Sequence, residues 1–273
     1  MWASESTVHI FRNIPSRLGA IAVASILLVA CSLSERELPA SEGSGSSPGE
    51  AKLSGSEAKD TPLITIKGTI NKNNALISAT PTKPVQVCIW RRDDLPCADV
   101  GEEGVYEVKA PSKQRIALAI KGGGLWPTLR AIVTGDKDMD LGNTRVVNEK
   151  GLKSVADALG VAHDPTLGAL FFSGVVDVSV KLEPASGTVF YLDQAGNLEK
   201  GARAITMRGI GGFTEVQPGE VRLRFAHPTG ECGFLPDNNM GGWPDPADPG
   251  VAIVPIEPGY HTSLVTMYCG PPR

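Results

Sequence analysis

Alternation of apolar and polar residues is the dominant pattern of the chain beyond residue 62. In residues 219–225, for example, Val221, Leu223 and Phe225 alternate with two arginines, as in a strand with one buried and one solvated face. Turns rich in Gly and Pro separate such segments at intervals of about 8–12 residues. The pattern predicts an all-β fold of antiparallel sandwiches, with strands in residues 63–70, 84–90, 114–121, 177–184 and 219–225.

One segment, residues 148–160, has the period of a helix instead. Its apolar residues recur at helical spacing, on one face: Leu152, Val155, Ala156 and Leu159. Asn148 is a favourable N-cap and Gly160 a favourable terminator. We expect a short amphipathic helix that packs between or across the strand-rich halves on either side.

An apolar run in residues 18–30 precedes all of this. It is too short for a membrane span, which needs about 20 residues, and its length suits the core of a secretory signal. The run ends Leu28-Val29-Ala30-Cys31, which resembles the lipobox of bacterial lipoproteins. The alternative is an uncleaved N-terminal helix with an incidental cysteine.

The lipobox resemblance implies cleavage before Cys31 and a diacylglycerol thioether on its sulfur. Each buried CH₂ of the acyl chains contributes about 0.8 kcal/mol to membrane binding, and two or more chains anchor stably. Ser32 is not the aspartate that resembles an inner-membrane retention signal. The expected location is therefore the outer membrane, which the protein contacts through the lipid on Cys31. The sequence does not indicate whether the folded part faces the periplasm or the outside of the cell.

The segment after the cysteine has the composition of a tether. Residues 32–61 are rich in Ser, Gly, Glu and Ala and bury too little apolar surface to offset the entropy of ordering. Their reach is on the order of 30 Å. The predicted organisation is a signal peptide in residues 1–30, a lipidated tether in 31–61, a first sandwich in 62–145, a linker helix in 146–164 and a second sandwich in 165–273.

A family resemblance appears in residues 206–223, TMRGIGGFTEVQPGEVRL. This stretch resembles the carboxypeptidase regulatory-like domains, which are small transthyretin-like sandwiches. We expect Gly211 and Gly212 to permit a tight turn, Phe213 to enter the core and Pro218-Gly219 to form a type II turn. The first half is similar but has Ala110-Pro111-Ser112 in place of Pro-Gly. The resemblance implies a tandem-sandwich envelope lipoprotein with a binding or spacing role.

Four cysteines remain once Cys31 is lipidated. An even number in an oxidising compartment favours disulfides, and three pairings are open. We favour Cys88–Cys97 and Cys232–Cys269, because each bond then stays inside one predicted domain. The spacing gives no CxxC or CxxH motif for a metal.

The charge pattern excludes a nucleic-acid partner. The net charge is −4, and no stripe of Lys and Arg interleaves with aromatic residues. The histidines after Cys31 begin no zinc motif, and a GxSxG nucleophile elbow is absent. His163 and His227 suit a turn and a loop.

Two metal sites are weighed as alternatives. Intradiol ring-cleavage dioxygenases use a similar sandwich and bind iron through two tyrosines and two histidines, but their closely spaced His-x-His is missing here. The candidates would be Tyr191, His227, Tyr260, His261 and Tyr268. Asp136, Asp138 and Asp140 alternate like calcium ligands, but the segment lacks the EF-hand glycine and glutamate and suits a solvated turn. We predict no metal and no cofactor.

Two Gly- and Pro-rich segments each carry a tryptophan, GGGLWPT with Trp126 and NNMGGWPDPADPG with Trp243. Loops on rigid scaffolds often carry function, so these two are the candidate ligand-binding residues, for a glycan or an envelope protein. The alternative is that each indole folds back and closes the end of its sandwich. We expect residues 244–249 to form a rigid exposed loop.

The predicted function is therefore a non-enzymatic binding, spacer or assembly module of the cell envelope. A metal-dependent enzyme on a transthyretin-like scaffold and an accessory subunit of an envelope transport or secretion complex are the alternatives.

Overall fold

The computed structural model describes residues 61–70, 84–193, 197–199, 201–206, 209–234 and 241–270. These residues belong to one compact unit, residues 54–273. Its elements are β1 Leu63–Ile70, β2 Val85–Ile89, β3 Ala98–Asp99, β4 Val105–Pro111, β5 Arg115–Gly122, β6 Thr128–Val133, β7 Met139–Thr144, α1 Glu149–Leu159, β8 Gly168–Ser173, β9 Ser179–Glu183, β10 Thr188–Tyr191, β11 Ile210–Val216, β12 Gly219–Ala226, β13 Glu231–Gly233, β14 Trp243–Asp245, β15 Asp248–Ile256, β16 His261–Thr266 and β17 Tyr268–Gly270.

The predicted all-β fold is confirmed, and each of the five predicted strands is present as β1, β2, β5, β9 or β12. Val221, Leu223 and Phe225 of β12 are buried, as their alternation predicts. Strand β5 differs from the simple pattern, because its intervening alanines are buried as well. This strand is therefore covered on both faces.

Helix α1 is confirmed with both of its caps. The Asn148 side chain accepts a hydrogen bond from the Gly151 N–H at 2.6 Å, and Gly160 takes the left-handed conformation at φ 73°. Val155 and Leu159 pack on Trp126, from the first half, and on Phe171, from the second. The helix thus contacts both halves.

One eight-stranded sheet runs through the unit in the order β10-β11-β8-β16-β6-β5-β2-β3. A three-stranded sheet (β4-β1-β7), a four-stranded sheet (β14-β15-β12-β9) and a β13-β17 ribbon complete the fold. Most pairs are antiparallel, as expected. The pairs β1/β7, β16/β6 and β16/β8 are parallel.

The smaller sheets lie on opposite faces of the long sheet. The three-stranded sheet packs on Ile116 and Leu118 of β5, whereas Trp243 of the four-stranded sheet packs on Ala117, which points the other way. The first core draws on residues 64–146 and the second on residues 170–269. The boundaries predicted at 145 and 165 stay predictions; the first core extends one residue past 145, to Val146, and the second core begins after 165.

Strand β16 connects the two halves. It pairs with β6 through His261 and Thr262, and with β8 along most of its length. A strand from the second half therefore completes the sheet of the first, and backbone hydrogen bonds cross between them.

The expectation of a tight turn at Gly211 and Gly212 is wrong. Both glycines lie inside β11, where a Cβ on Gly211 would approach the Phe172 ring to 2.6 Å and one on Gly212 would approach the Phe190 ring to 2.5 Å. They are needed for close aromatic packing. Phe213 enters the second core, as predicted.

Both predicted disulfides are confirmed, Cys88–Cys97 and Cys232–Cys269. The signal peptide, Cys31 and all of the tether except Thr61 lie outside the described residues. Within the described ranges, no helix is long and apolar enough to cross a membrane.

Candidate functional site

Trp126 lies between β5 and β6, against helix α1 and β8. Its side chain is only 6% exposed, and its indole N–H donates to the Gly259 carbonyl oxygen at 2.7 Å. The His163 ring meets the indole edge-on, with 4.5 Å between centroids. Trp126 thus connects the first half to the turn before β16, and one side of its surroundings is polar.

Trp243 stands in strand β14. Residues 244–249 are mostly exposed, as expected, but they form the paired hairpin of β14 and β15 and not a loop. The indole is 5% exposed and packs on Ala117 and Ala131. Its N–H lies 3.0 Å from the carbonyl oxygens of Ile116 and Ile132. Small alanines make room for the ring between the sheets.

Neither indole presents a ring face to solvent. Both positions agree with the alternative prediction, in which each indole folds back and closes the end of its sandwich. The ligand-binding role of these two residues stays a prediction. Of the two, Trp126 borders a cleft.

The candidate iron ligands have other partners. His261 is enclosed between Thr128, whose Oγ1 lies 3.2 Å from Nδ1, and the Phe171 ring, and burial lowers the pKa of its imidazole to about 3. Tyr191 donates its hydroxyl to the Arg203 carbonyl oxygen, and His227 accepts from the Thr229 N–H. Among the described residues, no group of three or more His, Cys, Asp or Glu could hold a metal ion.

The aspartates of residues 136–140 stabilise backbone. Asp138 Oδ1 accepts the Thr65 N–H at 2.7 Å and Asp140 Oδ1 accepts the Gly142 N–H at 2.8 Å. These contacts fit the turn predicted for this segment, and they hold the start of β7 against β1.

A narrow cleft, with about 20 Å³ open to a water-sized sphere, lies between Trp126, helix α1, the segment before β8 and strand β11. Trp126, Ala169 and Thr214 are buried in its lining, whereas His163 and Asp164 are exposed. We call this site the Trp126 cleft. Its lining is Trp126, Ala156, Val161, Ala162, His163, Asp164, Leu167, Gly168, Ala169, Thr214 and Glu215.

A β-bulge shapes one wall of the Trp126 cleft. Between the pairs Phe213↔Leu170 and Val216↔Gly168, two residues of β11 stand opposite Ala169 alone. One of them, Glu215, has φ 57°, in the left-handed region that a residue with a side chain rarely adopts. Bulges re-aim side chains, and strained backbone concentrates at functional sites.

The polar side chains that line the cleft differ in their hydrogen-bond partners. Thr214 is 4% exposed and its Oγ1 has no hydrogen-bond partner within the described part of the chain. Asp164 Oδ1 accepts from the hydroxyl and the N–H of Thr166, and these hydrogen bonds lower the pKa of the carboxyl group. Glu215 Oε2 lies 3.4 Å from the Thr188 hydroxyl.

Sequence reasoning found Trp126 but missed Thr214 and Glu215. Both lie in a stretch that reads as ordinary strand, and their position depends on a bulge opposite Ala169, 45 or more residues away in the chain. His163 was assigned only to a turn, and a histidine followed by Asp-Pro carries no signal that it meets an indole.

No protein-family model matches the chain, and no curated protein matches it. Among solved structures, the Bacillus anthracis TIE protein is similar over 76% of this chain, at 9% identity and a TM-score of 0.24. The chain spans 34% of that protein. GBS52, a minor pilin of Streptococcus agalactiae, is 10% identical over 77% of this chain and 98% of its own, with a TM-score of 0.23.

A putative carbohydrate binding protein from Bacteroides uniformis is 11% identical over 71% of this chain and 96% of its own length, with a TM-score of 0.23. At TM-scores this low, these likenesses assign neither a function nor a site to the chain.

Proposed function

We propose that this chain is a non-enzymatic module of the bacterial cell envelope, held by a lipid on Cys31 and serving to bind, space or assemble other envelope components. The folded unit would stand off the outer membrane on the tether of residues 31–61.

The observation that supports this proposal most is the cross-connection of the two halves. Strand β16 pairs with β6 and β8, Trp126 donates to Gly259 and Trp243 donates to the carbonyls of β5 and β6. Arg115 reaches the Pro244 carbonyl oxygen at 2.8 Å, and the two disulfides close local loops. These contacts hold the two halves together as one body, which suits a spacer.

The anchor is tested by metabolic labelling with palmitate and by cell fractionation. We expect Cys31→Ser to lose the label and leave the membrane fraction, and Ser32→Ala, the adjacent control, to keep both. Unprocessed Cys31→Ser protein that stays in the membrane fraction would contradict the lipid anchor.

The spacing role is tested by deleting part of the tether, residues 40–55. In-cell crosslinking should then lose the partners found with the full chain, while the urea unfolding curve stays unchanged. Identical crosslinks from both chains would contradict a spacer. Protease treatment of intact cells, compared with cells whose outer membrane is broken, identifies the exposed face.

A further inference from the structure

We propose that the Trp126 cleft binds a primary ammonium group carried by a small molecule or a side chain. The inference goes beyond the proposed envelope function, since it depends only on the residues that line this cleft.

The charges of the lining favour a cation. Asp164 and Glu215 contribute carboxylates, and His163 is the one other titratable residue of a lining that contains neither Lys nor Arg. An anionic ligand would meet two carboxylates, whereas an ammonium group would gain from both.

The second, independent observation is the hydroxyl of Thr214. Thr214 follows Phe213, which points into the second core, so its own side chain points to the opposite face of β11 and lines the cleft. Its Oγ1 is buried and has no hydrogen-bond partner among the residues that the structure describes. Buried polar atoms without partners are rare and costly, and a ligand N–H would remove that cost.

An ammonium group matches this set of acceptors. It carries three N–H donors and no acceptor, like the end of a lysine side chain. Thr214 Oγ1 lies in the buried wall, Glu215 is half-buried beside it on the bulge, and Asp164 is exposed at the rim. The bulge matters because two consecutive residues, Thr214 and Glu215, both line the cleft, whereas neighbours in a regular strand point to opposite faces.

The size of the cleft limits the ligand. About 20 Å³ is open to a water-sized sphere, which admits an ammonium group while the rest of its carrier lies outside the cleft. Two sources of the same chemistry fit, an amino sugar and a lysine-like side chain of a peptide.

The experiment uses the full chain in detergent and two amines, glucosamine and Nα-acetyl-lysine amide. Glucose and Nα-acetyl-norleucine amide are the matched neutral controls. The readout is the ¹H–¹⁵N signal of the Trp126 indole, assigned by its absence in Trp126→Phe. We expect a saturable shift with at least one amine, and the amine that binds more tightly identifies the source.

Two variants locate the binding groups. Glu215→Gln should weaken binding of the amine about tenfold or more, because the negative charge that attracts the ammonium group is lost, and Thr214→Val should weaken it without changing the charge. Glu220→Gln, on the exposed start of β12, is the matched control and should bind as the parent chain does.

Three results would overturn the proposal: neutral controls that bind as tightly as the amines, no saturable shift with either amine, or unchanged binding in both Glu215→Gln and Thr214→Val. None of them affects the anchor and tether experiments, so a failure here is distinguishable from a failure of the proposed function.

Discussion

The surroundings of Trp126 and Trp243 differ, although the two residues look alike in the sequence. Each follows glycines and precedes a proline, and each indole is buried and donates its N–H to the other half of the molecule. Trp243 is enclosed by two alanines and two backbone carbonyl oxygens, whereas Trp126 faces a cleft with an unpartnered hydroxyl. The local sequence therefore identifies a tryptophan that makes a buried contact. The residues that pack against the indole from other parts of the chain decide whether space remains for a ligand.

The largest difference should appear on truncation. We expect Trp243→Ala to lower the free energy of unfolding by about 3–5 kcal/mol, because it leaves a closed cavity. Trp126→Ala should cost less, about 2–3 kcal/mol, since solvent already reaches that side through the cleft. Urea unfolding measures both, with the exposed Val133→Ala as a control within about 0.5 kcal/mol. Equal losses for the two tryptophans would remove the distinction between them.

Low pH should destabilise the folded protein through His261. Burial lowers the pKa of this histidine from 6.5 to about 3, so between these values the unfolded chain takes up a proton that the folded chain does not. The free energy of unfolding should therefore fall as the pH drops, by about 2 kcal/mol between pH 6 and pH 4.5. His261→Asn cannot titrate and should flatten this part of the pH profile. A parent and variant with the same slope would show that His261 does not couple folding to pH.

Replacing each indole by a phenyl ring removes its N–H donor together with part of its ring. Trp126→Phe takes away the donor to the Gly259 carbonyl oxygen and should cost about 1 kcal/mol. Trp243→Phe removes two N–H contacts and leaves part of a closed cavity, so it should cost up to about 2 kcal/mol. The measurement is again urea unfolding, compared with the alanine variants. A larger loss of stability for Trp126→Phe than for Trp243→Phe would contradict the hydrogen bonds described for the two indoles.

The smallest expected effect is on Thr214, where the substitution should not lower the free energy of unfolding. Thr214→Val removes a hydroxyl without a partner and keeps the shape, so the free energy of unfolding should stay constant or rise by up to about 1 kcal/mol. Thr128→Val is the matched control, since its equally buried hydroxyl donates to the Trp126 carbonyl oxygen at 3.0 Å, and should cost about 1 kcal/mol. A comparable loss in Thr214→Val would mean that its hydroxyl is satisfied in solution.

The local features of this fold were predictable, and the long-range ones were not. Alternation located β12, helical spacing with Asn148 and Gly160 located α1, and cysteine spacing within each half gave both disulfides. Each of these depends on residues near one another in the chain or on simple pairing.

The candidate site depends on contacts that local periodicity does not encode. Nothing in residues 261–266 indicates a strand between β6 and β8, because register follows from partners far away in the chain. The left-handed Glu215 and the close approach at Gly212 are likewise set by strand β8 and by Phe190. Trp126 could be found from its type and setting, but the cleft beside it could not.

The insertion of β16 also orders events during biosynthesis. His261 follows Thr128 by 133 positions in the chain, so β6 carries an open edge while the intervening chain is synthesised. Open edges invite pairing with other chains, and contacts of such long range form slowly. A nascent chain that has passed β6 but not β16 is therefore the species most in need of a chaperone. Truncation before His261 would leave the edge of β6 open permanently.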